Sequence, residues 1–144
     1  MSVFDWLLGA WTFSREVPGY ASIMGEARVT AEGEDGARYQ EAATVSLVGG
    51  ETLRAAQCYR YRRLAQPVNG FEVLFCETAE LFERLDFRDR EGALQARAQF
   101  SCGADLYESE YVADGRDRLI VEHAVRGPRK NYRVRTIYSR RTNS

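Results

Sequence analysis

The chain has 144 residues, 44% of them hydrophobic and 28% charged, with a formal net charge of −1. That length suits a single domain over residues 1–144 with a core of its own. The near-zero charge argues against a general nucleic-acid binder, no apolar run reaches the ~18 residues of a membrane span, and Met1 to Trp11 has neither the basic nor the apolar region of a signal peptide.

Phe4 to Leu8 is read as one short turn capping the end of a barrel. After it the hydrophobic pattern has period two almost throughout. Extended runs are predicted at Trp11–Val17, Ser22–Ala31, Arg38–Val48, Thr52–Leu64, Phe71–Cys76 and Glu80–Phe87. A charged loop, Arg88 to Gly92, follows, and then runs at Leu94–Ser101, Asp105–Val112, Arg118–Arg126 and Tyr132–Arg140. Gly33 to Gly36, Gly49-Gly50, Gln66 to Gly70, Asp114 to Asp117 and Gly127-Pro128 supply turns between them. Short connections make this an up-and-down meander of about ten strands. Such a set avoids exposed edges best by closing. The expected fold is therefore all-β, a closed antiparallel up-and-down β-barrel.

In that barrel the first and last strands are neighbours. Gly9-Ala10-Trp11 then meets Arg140 at one end, with the guanidinium over the indole face as a structural lid on the floor. Alternation points Trp11, Phe13, Arg15 and Val17 inward. It does the same for Tyr39 and Glu41, for Leu53, Ala55, Gln57, Tyr59 and Tyr61, for Tyr107, Ser109 and Tyr111, for His123, and for Tyr132, Thr136 and Tyr138. Buried polar groups are unfavourable unless hydrogen-bonded, so an interior this polar suggests water or a ligand.

Strand parity puts the mouth opposite Trp11 and Arg140. Arg15, Tyr107, His123 and Tyr132 lie toward it, and Cys102, Asp105, Arg129 and Lys130 stand on its rim. From Arg126 to the end there are seven basic residues and no acidic one. Cross-strand pairing of Arg133 and Arg135 with Glu16 and Glu122, or a basic rim attracting an anion, accounts for that. Three cysteines, Cys58, Cys76 and Cys102, read as reduced thiols in a cytoplasmic protein, and no CxxC or histidine cluster suggests a metal.

Arg15 has Glu41 as one candidate partner and a ligand carboxylate or phosphate as another. His123 is either a hydrogen-bonded core residue or a functional one. The leading expectation is a small-molecule-binding barrel for a flat or apolar, anionic ligand, lined by Arg15, Glu41, Tyr59, Cys102, Tyr107, His123, Arg129, Lys130 and Tyr132. The alternatives are an isomerase- or hydrolase-like enzyme using His123 with Cys102 or Asp105, and haem bound through His123. No cofactor is identified by the residues themselves. Exposed Met24, Leu74 and Ile137 would suit a homodimer contact.

The GxW start and the closing Arg140 resemble the calycin superfamily, which includes lipocalins, fatty-acid-binding proteins, nitrobindins and phycobiliprotein lyases. A likeness over nearly the whole chain is to an uncharacterised bacterial family of calycin-like barrels. Leu8-Gly9-Ala10-Trp11, Cys102 with Asp105 and Tyr107, Gly127-Pro128-Arg129-Lys130, Tyr132, Thr136, Tyr138 and Arg140 carry it. That pattern has histidine at position 83 or 100, where this chain has Glu83 and Phe100, a departure that weakens metal or acid–base proposals. The resemblance implies a lipocalin-like barrel and brings no activity or ligand.

Overall fold

The computed structural model describes residues 1–141. A short helix, α1 (Val3–Leu7), precedes eleven strands: β1 (Gly9–Val17), β2 (Ala21–Glu32), β3 (Gly36–Leu47), β4 (Thr52–Arg63), β5 (Gly70–Phe75), β6 (Leu81–Asp86), β7 (Arg88–Arg90), β8 (Ala93–Cys102), β9 (Asp105–Asp114), β10 (Arg118–Arg126) and β11 (Asn131–Arg140). They form one antiparallel sheet in the order β6-β5-β4-β3-β2-β1-β11-β10-β9-β8-β7. The sheet curls until β6 lies against β8. This makes a nearly closed barrel whose last seam is side-chain packing rather than a ladder. Phe82 of β6 and Phe100 of β8 meet edge to face across it, 5.4 Å apart.

The one strand beyond the ten expected, β7, lies in the segment read from sequence as a charged loop. Arg88, Asp89 and Arg90 pair with Gln95, Leu94 and Ala93. All three are exposed, so backbone bonding alone makes this strand and no burial pattern marks it.

The floor is built where the chain ends meet. Trp11 is opposite Arg140 in the β1–β11 register. The Arg140 guanidinium sits 4.1 Å from the Trp11 ring centroid, and its Nη1 donates to Leu8 O at 3.0 Å while Nη2 donates to Trp6 O. Arg140 thus takes up carbonyls that the end of α1 leaves open. Five residues are too few for a helix to hold itself, so α1 depends on its surroundings. Val3 N–H donates to Asn69 Oδ1, Trp6 Nε1 to Arg116 O, and Arg63 pairs with Asp5 at 2.8 Å. Val3, Phe4 and Leu7 are buried and plug the floor. Gly9 has φ of +125°, a backbone conformation that favours glycine.

The cysteine expectation is corrected. Tyr59 pairs with Phe75 in the β4–β5 ladder, so Cys58 and Cys76 come next, facing one another outside the barrel. Their Cα atoms are 5.8 Å apart and they form a disulfide, leaving Cys102 free and exposed. A count of three thiols carries no register, and register brought this pair within bonding reach.

β5 pairs with β4 only over Tyr59–Arg63. Leu53, Ala55 and Gln57, read as inward, are consequently exposed. Beyond the disulfide, β4 has β3 alone as a neighbour and nothing covers that stretch. Arg135, as the sequence suggests, pairs with Glu122 at 3.3 Å. Met24 is exposed, whereas Leu74 and Ile137 are only half so. Among the described residues no helix is long and apolar enough to cross a membrane.

Candidate functional site

A cavity of about 410 Å³ occupies the barrel. It rests on Leu7, Trp11 and Leu119 at the floor and reaches Gln57 and Tyr132 at the other end. Tyr132 is 42% exposed, so the cavity opens there, opposite Trp11 and Arg140. Two polar assemblies face it, one on each side of an aromatic lining.

The first assembly is centred on Arg15 of β1. Its Nη1 and Nη2 each donate to Glu41, at 3.0 Å, and its Nε donates to Thr136 Oγ1 at 2.8 Å. Glu41 also accepts from Tyr39 OH at 2.6 Å, and Tyr39 OH lies 2.9 Å from Tyr138 OH. Glu41 is on β3, so the two side chains together bridge two strand spacings, roughly 10 Å. Gly25 on the intervening β2 makes room for the Phe13 ring, and the guanidinium lies over that ring at 4.6 Å. Gly25 lies opposite both Phe13 and Ala43, and a Cβ there would stand 2.8 Å from the Phe13 ring. Burial alone would lower the Arg15 pKa; the Glu41 hydrogen bonds and charge reverse this and hold it above the usual range. Burial pushes the Tyr39 hydroxyl up, with neighbouring Tyr138 adding to the effect. The Arg15 charge is therefore matched inside the protein, by the structural partner rather than by a ligand.

The second assembly runs along β6, β9 and β10. Tyr111 OH donates to Glu83 at 3.1 Å, and Ser109 Oγ lies 2.7 Å from His123 Nδ1. Glu83 is 3% exposed. Burial raises its pKa, and the Ser109 and Tyr111 hydroxyls offset part of that rise. His123 is lowered to about 4 by burial, with the Arg15 charge assisting. Its Nδ1 is occupied by Ser109, and the ring lines the cavity. No buried side-chain nitrogen or oxygen among the described residues lacks a partner.

The tyrosines among the expected site residues gather here. Tyr59, Tyr107 and Tyr132 line the cavity together with Arg15, Glu41 and His123. The rim residues stand apart. Lys130 Nζ is 3.6 Å from Asp105 and 3.5 Å from Tyr107 OH, and Arg129 is exposed. Cys102 is opposite Asp105, and His123 opposite Ser109. Four residues of β9 separate these levels, roughly 13 Å, so His123 meets neither Cys102 nor Asp105.

Glu83 and Phe82 are the functional candidates that the sequence reading did not place. Glu83 shares a parity with the buried Leu85 and Phe87, a signal that was present. Phe82 carried none. The β5–β6 register slips between Val73 and Leu74, and this irregularity lets Phe82 turn onto Tyr59, stacked at 6.0 Å.

The depressed His123 pKa sets a pH dependence. The unfolded chain binds its proton near the ordinary 6.5 and the folded chain only near 4. Stability due to this group is thus intact above 6.5 and is lost as pH falls toward 4, by up to about 3 kcal/mol. Glu83 acts in the opposite sense, favouring folding at low pH and losing that contribution as pH rises through its folded value. The difference in urea-unfolding free energy between wild type and His123→Gln, measured from pH 7.5 to 4, isolates the histidine. The wild-type advantage should hold down to about pH 6.5 and shrink from there to pH 4, and a constant difference would refute the assignment.

A family profile described as "Family of unknown function (DUF6314)" matches residues 7–140. No curated protein sequence matches the chain. Among solved structures, the S-type phycobiliprotein lyase CPES from Guillardia theta is similar at 10% identity and a TM-score of 0.67, covering 100% of this chain and 95% of its own. Rv2717c from M. tuberculosis is similar at 14% identity and a TM-score of 0.66, covering 97% and 96%. These likenesses establish a shared calycin-like barrel fold.

Proposed function

Because the chain belongs to DUF6314, a family of unknown function, we propose its function from the cavity itself: the protein is a small-molecule-binding barrel that takes a flat, largely apolar ligand through the Tyr132 end. The carrying observation is a cavity of about 410 Å³ that is open at one end and walled by tyrosines whose polar neighbours are already satisfied. Ligand pockets of this kind span roughly 300–1,000 Å³. The barrel shared with a phycobiliprotein lyase supports the reading at the level of architecture.

On this reading Tyr59, Tyr107 and Tyr132 stack against the ligand body. The polar groups of Arg15, Glu41 and His123 flank it, and Lys130 stands at the rim beside Tyr107. An anionic head group finds accessible cations only at that rim, since Arg15 is bound by Glu41.

Native mass spectrometry of protein purified gently from its own host tests this. The expected result is a mass excess that disappears on denaturation. It should also disappear in Ala55→Trp, which places an indole in the opening at an exposed residue without altering the core. Protein of bare chain mass, combined with no thermal shift from a panel of flat aromatic compounds, would overturn the reading. A Soret band in the purified protein would move it to haem held through His123.

A further inference from the structure

We infer that the ligand of this cavity is a planar organic cation, such as an amidinium or protonated nitrogen heterocycle, with Glu83 as its counter-charge. This rests on the pocket reading above and adds the charge class. Three formally charged side chains line the cavity: Arg15, Glu41 and Glu83. Arg15 and Glu41 cancel one another through two bonds of 3.0 Å. Glu83 remains. Among the described residues no lysine, arginine or histidine lies within ion-pair distance of its carboxyl, and its hydrogen-bond donors are hydroxyls. A carboxyl buried to 3% exposure without a cation is an unstable arrangement. It must either hold its proton or acquire a positive partner. Burial raises the Glu83 pKa, which favours the first of these. A bound cation supplies the second.

The surroundings fit a cation rather than any other occupant. Tyr59, Tyr61, Phe82 and Tyr111 line the same cavity, and ring faces attract positive charge once water is removed. His123 is neutral near pH 7 because burial holds it at about 4. With Nδ1 engaged by Ser109, its other nitrogen is the one left for a ligand. If Ser109 gives its single proton to Glu83, then Nδ1–H donates to Ser109 and Nε2 is an acceptor. Glu83 and Nε2 are then both acceptors on residues that line the cavity, which suits a cationic group with several N–H donors. Among the described residues no unmatched cation lines the cavity to hold an anion in its place.

The test is isothermal titration with three flat probes of one shape and different charge: 2-naphthamidine, 2-naphthamide and 2-naphthoate. At pH 7.5 the amidine should bind about tenfold or more tightly than the amide, because it alone pairs with a desolvated carboxylate, and the carboxylate probe should bind weakest. Glu83→Gln keeps the shape and the acceptor for Tyr111, and should erase the amidine advantage while leaving amide affinity within about twofold. Tightest binding by the naphthoate, or an amidine advantage that survives Glu83→Gln, overturns this inference and leaves the pocket reading standing. Failure of all three probes to bind overturns both. Should Glu83→Gln not fold, the order of the three affinities in wild type decides the matter alone.

Discussion

Arg15→Met should lower the unfolding free energy by about 3–5 kcal/mol, because it strands the Glu41 carboxylate in the barrel with only the Tyr39 hydroxyl for support. Glu41 is buried, and its side chain is 7% exposed against 20% for Arg15. Glu41→Leu should therefore have a smaller effect, about 2 kcal/mol, since the guanidinium keeps an edge toward the cavity, the face of Phe13 at 4.6 Å and the Thr136 hydroxyl. The double variant Arg15→Met/Glu41→Leu should recover most of the loss, because two apolar chains of similar bulk need no counter-charge. Urea unfolding of the four proteins closes the cycle. Additive losses would mean that the two residues act separately and that the Arg15 charge is not matched by Glu41. That outcome would bear directly on the ligand, since an unmatched Arg15 would again be an anchor for an anion.

Trp11→Ala should remove about 3–5 kcal/mol, the range for deleting a large buried aromatic. In a chain of this size that corresponds to a fall of about 10 °C or more in Tm. Trp11 is 2% exposed. Its Nε1 donates to Leu7 O at 2.9 Å, Trp6 packs edge-on against it at 5.2 Å, and Arg140 covers the other side. Its loss removes the surface on which α1 sits and the ring that Arg140 covers, so the floor opens as the core weakens. Trp11→Phe keeps a flat ring but not the Leu7 bond and should fall by about 1–2 kcal/mol. Differential scanning calorimetry separates the two. Equal small losses would show that α1 holds the floor without the indole.

The barrel was legible because its signals are local. Alternation along Trp11–Val17 and Arg38–Val48, with Gly-rich turns at Gly33 to Gly36 and Gly49-Gly50, needs no knowledge of the rest of the chain. The adjacency of Trp11 and Arg140 also followed, since a meander of hairpins that closes on itself makes neighbours of its two ends. Tyr59, Tyr107, His123 and Tyr132 face the cavity because parity carries along a regular strand. Parity gave the face but not the cover. Ala55 and Gln57 do line the cavity, yet β5 ends before it can bury them or Leu53.

By itself, then, the sequence determined the strands, their turns, the meeting of the two ends and the faces of the long regular strands. These depend on side-chain period and turn chemistry, which act between residues close in the chain. Only the tertiary structure decided that Arg15 is satisfied by Glu41 two strands away, that Cys58 reaches Cys76, that Phe82 turns onto Tyr59 at an irregularity, and that Glu83 has no cation beside it. Each of those outcomes depends on a distance across the curved sheet. Register, curvature and the length of the neighbouring strand set such distances, and no local pattern encodes them.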